Sequence, residues 1–218
     1  MKHSQRLVIL GDSVTAAGQT ENGGAGGGYV DLLSERLASE GVRAELIASA
    51  LDGIDTGYAV RRFRRMVTSL APDQVLVMLG LNDAQPAGGR AQSSPAEFER
   101  NLGRLVELIL ELDALPTLIT PNPRFDVSSS DPHADDIMPP YVQSVIDVAD
   151  SYMIGCIDVH RAFCGVDSLG DLIPDGIHPA ADGHRVIAEA IADQLLSKLR
   201  DAPTEPQPGT DNSALLNN

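Results

Sequence analysis

Four residues in three short segments of the chain have the side chains that acyl transfer requires. Ser13 lies in a Gly-Asp-Ser sequence, Asn82 in Gly-Leu-Asn-Asp, and Asp175 and His178 stand three residues apart in Asp-Gly-Ile-His. A serine hydroxyl becomes a useful nucleophile when an imidazole accepts its proton, and a carboxylate orients that imidazole through its second nitrogen. The three-residue spacing lets Asp175 and His178 share one turn, with the carboxylate reaching back to the ring.

A tetrahedral intermediate of acyl transfer also needs hydrogen-bond donors directed at its oxyanion. The candidates are the N–H groups of Ser13 and Gly53 and the side-chain amide of Asn82. Each such donor typically lowers the activation barrier by roughly 3 to 4 kcal/mol. Taken singly, these residues have ordinary explanations, because glycine permits a positive φ and Asp, Asn and Ser are common in turns. The functional interpretation therefore depends on a fold that brings them together.

Five short apolar runs alternate with five longer segments of helical character. The strands are predicted at residues 7–10, 44–48, 74–79, 115–120 and 153–159, and the helices at 29–40, 57–69, 95–113, 139–152 and 180–199. Pro95 with Glu97 predicts a helix start, and Gly41 predicts a helix end. Such alternation predicts parallel strands joined by right-handed crossovers, hence a three-layer α/β/α fold around a five-stranded parallel sheet.

The candidate residues follow the predicted strands directly. Ser13 comes after the first strand, Gly53 after the second and Asn82 after the third, while Asp175 and His178 come between the fifth strand and the last helix. Ligands of open parallel sheets bind at the carboxyl ends of the strands. We therefore expect these residues to meet at one edge of the sheet.

In these blocks the chain resembles the SGNH hydrolases, also called GDSL esterases and lipases. The matching blocks are GDSVT at residues 11–15, Gly53 in ALDGIDTG, GLND at 80–83 and DGIHP at 175–179, and they occur in the family's order. The resemblance implies Ser13 as nucleophile, His178 as base and later acid, and Asp175 as its orienting partner. It also implies an oxyanion hole of Ser13, Gly53 and Asn82, a flavodoxin-like strand order 2-1-3-4-5, and neither a metal nor an organic cofactor.

One block departs from the family pattern. Ala48 stands where the second block usually has an asparagine, so Gly57 is an alternative to Gly53 as the oxyanion glycine. Asp12 and Asp83 also match the motifs, and we interpret them as carboxylates that fix loops rather than as proton donors or acceptors.

Composition limits the partners and the location of the protein. The 218 residues include 31 acidic and 16 basic side chains, a net charge of -15, which disfavours binding to nucleic acid or to an anionic membrane. The sequence has neither a membrane-spanning apolar run nor a signal peptide, so we expect a cytoplasmic protein.

We expect one domain over residues 1–200 and a disordered tail over 201–218, which is rich in proline. Cys156 and Cys164 have no metal-binding spacing and are interpreted as two small buried or half-buried thiols, in neither a disulfide nor a zinc site.

The loops after the third and fourth strands, at 83–94 and 121–141, are long and mostly polar, and are predicted to shape the substrate pocket. They favour a small-molecule ester with a short acyl group, acetyl to about butyryl, on a small or polar alcohol. Arg124 is a candidate for binding a carboxylate or a sugar hydroxyl, although a surface arginine is the more ordinary interpretation.

The alternative functions differ in how many of these features they fit. A thioesterase or a carbohydrate acetylesterase would use the same residues. An α/β-hydrolase would place its serine in GxSxG, whereas residues 11–15 end in threonine. A metal site at residues 131–136, or at His178 with His184, lacks a recognised ligand spacing. A non-catalytic flavodoxin-like binding module is the alternative from another class.

Overall fold

The structure is a computed structural model that describes residues 5–17, 27–87 and 90–201. The predicted tail lies outside the described residues except for Asp201, which ends the last helix. Within the described ranges, no helix is both long enough and apolar enough to cross a membrane.

The main sheet contains five strands, all parallel. They are β1 (Gln5–Gly11), β2 (Ala44–Ala50), β3 (Gln74–Met78), β6 (Leu115–Ile119) and β7 (Gly155–Ile157). A separate two-stranded hairpin, β4 (Pro86–Ala87) and β5 (Arg90–Ala91), lies between β3 and β6 along the chain. The order across the main sheet is β2-β1-β3-β6-β7. If the strands of the main sheet are numbered 1 to 5 along the chain, their order across the sheet is 2-1-3-4-5. The parallel sheet and its strand order were therefore predicted correctly.

Helices cover both faces of the sheet. They are α1 (Ser13–Ala16), α2 (Tyr29–Ser39), α3 (Thr56–Met66), α4 (Pro95–Leu110), α5 (Pro139–Tyr152), α6 (Val159–Phe163), α7 (Leu169–Leu172) and α8 (Ala181–Asp201), with a 3-10 turn at Thr68–Leu70. One layer contains α2 packed on α8, and the other contains α3, α4 and α5 packed in sequence. The three-layer α/β/α architecture is confirmed.

The central strands are apolar because they are covered on both sides. Val8, Ile9 and Leu10 of β1 and Val75 and Leu76 of β3 are all buried. The central strands therefore form a buried layer from which the loops that follow them start.

Local signals mark several helix ends as expected. The Ser94 hydroxyl accepts the N–H of Glu97 and Pro95 occupies the first turn, so α4 begins where predicted. Gly41 has a φ of 78° just beyond α2 and marks its end.

The fifth predicted strand is the clearest difference. It was predicted over residues 153–159, but β7 spans only Gly155–Ile157. Met153 has a φ of 52°, which ends α5 rather than starting a strand. At the other end Asp158 accepts the N–H of Arg161, and this cap starts α6 at Val159. The helix predicted at 57–69 likewise stops at Met66 and continues as the 3-10 turn.

Candidate active site

The carboxyl ends of the five strands lie at one level of the sheet. Neighbouring strands pair Gly11 with Ala50 and Met78, Met78 with Ile119, and Ile119 with Ile157. Each loop therefore leaves the sheet at the same edge. This register is what allows residues from distant parts of the sequence to form one site.

Ser13 is the first residue of α1, directly beyond β1. Asp12 caps this short helix, because its Oδ1 accepts the N–H of Val14 at 3.1 Å. Gly11 is required by close packing, since a Cβ there would lie 1.9 Å from the Thr15 Oγ1. Thr15 is itself held by a 2.8 Å hydrogen bond to the Tyr29 hydroxyl. The Gly-Asp-Ser sequence thus makes a tight strand-to-helix turn with the serine at its outer end.

Ser13, His178 and Asp175 form a continuous hydrogen-bonded chain. The Ser13 Oγ lies 3.0 Å from the His178 Nε2, and the His178 Nδ1 lies 2.7 Å from the Asp175 Oδ2. The Asp175 Oδ1 accepts the backbone N–H groups of Ile177 at 2.9 Å and His178 at 2.6 Å. In this arrangement the imidazole can accept the serine proton at Nε2 while Asp175 holds its Nδ1–H.

The charge of Asp175 is favoured by its surroundings. Partial burial by itself raises the pKa of a carboxyl, but the N–H of His178, its imidazole and the N–H of Ile177 together bring the pKa of Asp175 below its ordinary value. The side chains of His178 and Asp175 remain 48% and 53% exposed, so the imidazole is accessible from solvent. An ionised Asp175 can therefore orient His178 at neutral pH.

Two of the candidate oxyanion donors are backbone groups. Ser13 begins α1, so its N–H has no acceptor inside that helix. Gly53 lies in the loop after β2 with a φ of 74°, a conformation that favours glycine, and its N–H donates to no acceptor in the described part of the chain. The alternative, Gly57, is already inside α3. Gly53 therefore has the more suitable position at the strand edge.

The third donor is the amide of Asn82, which is buried beside the same turn. Its Nδ2 donates to the Ile54 carbonyl at 3.0 Å and, at the longer distance of 3.5 Å, to the Asp12 Oδ2. The first bond fixes the amide between the loops that contain Ser13 and Gly53. The second is weak enough to be exchanged for a stronger acceptor.

Asp12 and Asp83 are both buried and both hold loops. Burial raises the pKa of Asp12 to about 7, with the N–H of Val14 and the nearby His178 acting in the opposite direction. Burial also raises the pKa of Asp83, against hydrogen bonds from Thr56. The Asp83 carboxylate accepts the Thr56 hydroxyl at 2.6 Å and the Thr56 N–H at 3.0 Å. These contacts tie the loop after β3 to the start of α3.

Sequence reasoning missed Asn122, which follows β6 at the same edge. Its side chain is fully buried, and its Nδ2 donates to the carbonyls of Pro123 and Ile177. Phe125 reinforces this contact by donating its N–H to the Gly176 carbonyl. Together they fix the turn that contains Asp175 and His178. The same strand-end argument that selected Asn82 would have found Asn122.

Arg124 is more constrained than a surface arginine. Its Nη1 donates to the Leu81 carbonyl at 2.7 Å, next to Asn82, and its backbone N–H donates to Asp136. Partial burial lowers the pKa of Arg124, while the charge of Asp175 raises it. The guanidinium therefore joins the loop after β6 to the loop that holds Asn82.

The acidic segment at 131–136 and His184 have other partners. Asp136 lies 2.6 Å from the Nε2 of His160, and His184 is stacked on Tyr29 with 6.3 Å between ring centroids. Burial and the charge of His178 lower the pKa of His184. Across the described ranges, no three His, Cys, Asp or Glu side chains cluster in a way that could hold a metal ion.

Comparison with known proteins identifies the family to which the chain belongs. A profile of the GDSL-like lipase/acylhydrolase family matches residues 9–186. An arylesterase of Vibrio mimicus is 25% identical over 209 residues, covering 90% of each chain, and the esterase TesA of Pseudomonas aeruginosa is 28% identical over 104 residues, 48% of each. The structure of Axe2, an acetylxylan esterase from Geobacillus stearothermophilus, superposes with a TM-score of 0.75 at 23% identity, over 89% of this chain and 96% of that one. The chain belongs to the GDSL-like lipase/acylhydrolase family and is an ester hydrolase.

Proposed function

We propose that this enzyme cleaves carboxylic esters with short acyl groups, acetyl to about butyryl, on small or polar alcohols, through an acyl-enzyme on Ser13. The observation that carries the proposal is the 3.0 Å contact between the Ser13 Oγ and the His178 Nε2. That distance lies within hydrogen-bond reach, the first requirement for a nucleophile and its base.

In the acylation step, the Ser13 Oγ attacks the ester carbonyl while His178 takes its proton at Nε2. The resulting imidazolium is stabilised by Asp175, which holds the opposite nitrogen. When the tetrahedral intermediate collapses, the bond to the alcohol oxygen breaks and His178 returns the proton to that oxygen. The alcohol leaves, and the acyl group remains on Ser13.

Deacylation repeats these steps with water. His178 removes a proton from the water, the hydroxide adds to the acyl carbon, and the Ser13 oxygen leaves with the proton that His178 holds. The carboxylic acid is released and the free serine is regenerated. In both acylation and deacylation the oxyanion lies among the N–H groups of Ser13 and Gly53 and the amide of Asn82. Each of these donors lowers the activation free energy by roughly 3 kcal/mol.

The shape of the surface beside Gly53 supports a short acyl group. An open cleft of about 830 Å³ there is lined by both polar and apolar residues, including Ala16, Asp52 and Tyr58. A more enclosed and more apolar cavity of about 430 Å³ lies among Leu7, Leu115 and other residues at the amino ends of the strands, far from Ser13. A long acyl chain on Ser13 would therefore project into open solvent rather than into that cavity.

The proposal is tested with a fluorophosphonate probe and a panel of esters, thioesters and acetylated sugars. Ser13 should be the labelled residue, and Ser13→Ala should lose labelling and all turnover while keeping its circular dichroism spectrum and melting temperature. Ser39→Ala, which removes an exposed hydroxyl from α2, is the matched control. Turnover by folded Ser13→Ala would overturn the proposed nucleophile. Faster cleavage of thioesters or of acetylated sugars than of simple esters would favour a thioesterase or a carbohydrate acetylesterase.

A further inference from the structure

A groove runs from the candidate oxyanion glycine along α3. It consists of three clefts that adjoin one another, since each shares lining residues with the other two. The first and second clefts share Tyr58, and the first and third share Arg61. The second and third share Arg62 and Arg65. The first cleft also includes Gly53. We call this surface the α3 groove and define it by Gly53, Tyr58, Arg61, Arg62, Arg64 and Arg65.

The far end of the α3 groove is strongly basic in an otherwise acidic protein. Its four arginines lie within five residues of sequence, whereas the whole chain has a net charge of -15. All four side chains are exposed, and in the described part of the chain none lies within 4.0 Å of a carboxylate. Arg62 stacks over Tyr58 at 6.0 Å from the ring centroid. This is a concentration of unpaired guanidinium groups that an anion can neutralise.

Helix stability explains only part of this cluster. Arg64 and Arg65 are in the last turn of α3, where positive charge is favourable to the helix dipole. Arg61 and Arg62 are in the middle of the helix and gain little from that effect. A separate reason is therefore needed for placing them along a groove that leads to Gly53.

The distribution of charge along the groove indicates where an anion would bind. Asp52 and Asp55 line the end beside Gly53, and Asp55 caps α3 by accepting the N–H of Tyr58. That end, which Arg61 also lines, has one more carboxylate than guanidinium group, whereas the second and third clefts are lined by arginines and by no carboxylate. With a helix rise of about 1.5 Å per residue, Arg61 and Arg65 lie about 8 and 14 Å along α3 from its first residue, Thr56.

We infer that the α3 groove binds a phosphate group on an extended alcohol arm of the substrate, at the arginines of α3 beyond the end of the groove beside Gly53. Guanidinium groups match the oxygens of a phosphate through paired N–H donors. The negative charge of the rest of the molecule disfavours nucleic acid and anionic membranes, which present many charges at once. A small molecule with one or two phosphates meets only the local positive field. The inference rests on the proposed ester hydrolysis at Ser13 and names its substrate class.

A matched pair of substrates tests this inference. Two acetyl esters share a tetraethylene glycol arm, which ends in a phosphate in one and in a hydroxyl in the other. We expect kcat/KM for the phosphate ester to be about tenfold higher at low salt, with the ratio narrowing as salt screens the groove. The double variant R61Q/R65Q should remove most of that ratio, whereas R36Q/R104Q, which changes the charge equally on other helices, should keep it.

Binding of inorganic pyrophosphate separates the two proposals. By calorimetric titration it should bind wild type and Ser13→Ala equally, and R61Q/R65Q at least tenfold more weakly. If kcat/KM is equal for the two esters while the fluorophosphonate still labels Ser13, the proposed phosphate site in the α3 groove is wrong and the proposed function is unaffected. If the protein binds pyrophosphate but Ser13 is not labelled and neither ester is hydrolysed, the result supports the phosphate site and contradicts the proposed function.

Discussion

Asp175 contacts His178 twice, once through the imidazole and once through the backbone. Its Oδ2 lies 2.7 Å from the His178 Nδ1, while its Oδ1 accepts the His178 N–H at 2.6 Å. One carboxylate thus fixes both the ring and the peptide that carries it. The orientation of His178 is determined within a four-residue turn.

Asp175→Asn should lower kcat for p-nitrophenyl acetate by about 10³ to 10⁴. The asparagine oxygen can still accept the two backbone N–H groups, but its amide would donate to the His178 Nδ1. His178 would then carry its proton on Nε2 and could not accept the Ser13 proton. Asp182→Asn, an exposed position near the start of α8, is the control. A loss of less than tenfold in the Asp175 variant would contradict this assignment.

Asn82→Ala should lower kcat by about 10² to 10³ with a much smaller change in KM, because the amide acts on the oxyanion rather than on the ground-state ester. Steady-state kinetics with p-nitrophenyl acetate measure both parameters. Asn82→Asp has a similar shape but no amide donor, so it should be equally impaired. An active Asp variant would show that the position matters for packing alone.

Asp12 should make the folded protein less stable as the pH rises. Burial raises its pKa from 3.8 to about 7, so between those values the folded state holds a proton that the unfolded state has lost. The free energy of unfolding therefore falls with rising pH across this window, by up to about 1.4 kcal/mol per pH unit for one group. Asp83 contributes a pH dependence in the same direction, because burial raises its pKa as well.

Urea denaturation of wild type and Asp12→Asn at pH values from 4.5 to 7.5 checks this prediction. The variant should lose the contribution of Asp12, so its free energy of unfolding should rise relative to wild type as the pH increases. The exposed Asp147→Asn should follow wild type. A constant difference between Asp12→Asn and wild type would show that Asp12 does not titrate in this window.

p-Nitrophenyl acetate and butyrate should be hydrolysed with a higher kcat/KM than the laurate. The cleft beside Gly53 is open, so a twelve-carbon chain would bury little of its surface there. A series of p-nitrophenyl esters from two to twelve carbons, kept below their aggregation limits, measures the dependence. A steady increase in kcat/KM with chain length would indicate an apolar acyl pocket and contradict the prediction.

The sheet and its edge were predictable because they follow from strong local signals. Apolar runs such as residues 74–78 are long enough to identify buried strands, and the parallel order brings their carboxyl ends together. Ser13, Gly53, Asn82, Asp175 and His178 were all selected by that rule, and the structure brings Ser13, Asp175 and His178 into direct contact.

Short elements and buried polar contacts were not predictable. The limits of β7 depend on the left-handed Met153 and on the Asp158 cap, which are decided by the surrounding packing. The role of Asn122 depends on the carbonyl of Ile177, which is 55 residues further along the chain. Hydropathy patterns contain no information about such pairs, because either residue alone is compatible with many loops.

The location of Asp175 and His178 in one turn has a consequence for how the enzyme loses activity. The proposed acid–base pair is assembled from neighbouring residues, whereas Ser13 lies 165 residues from His178 and contacts it through its hydroxyl. Opening of the turn at 175–178 would stop hydrolysis while the five-stranded sheet persists. Thermal inactivation should therefore precede the unfolding of the sheet, and Ser13 labelling would report the docking of this turn rather than the integrity of the whole molecule.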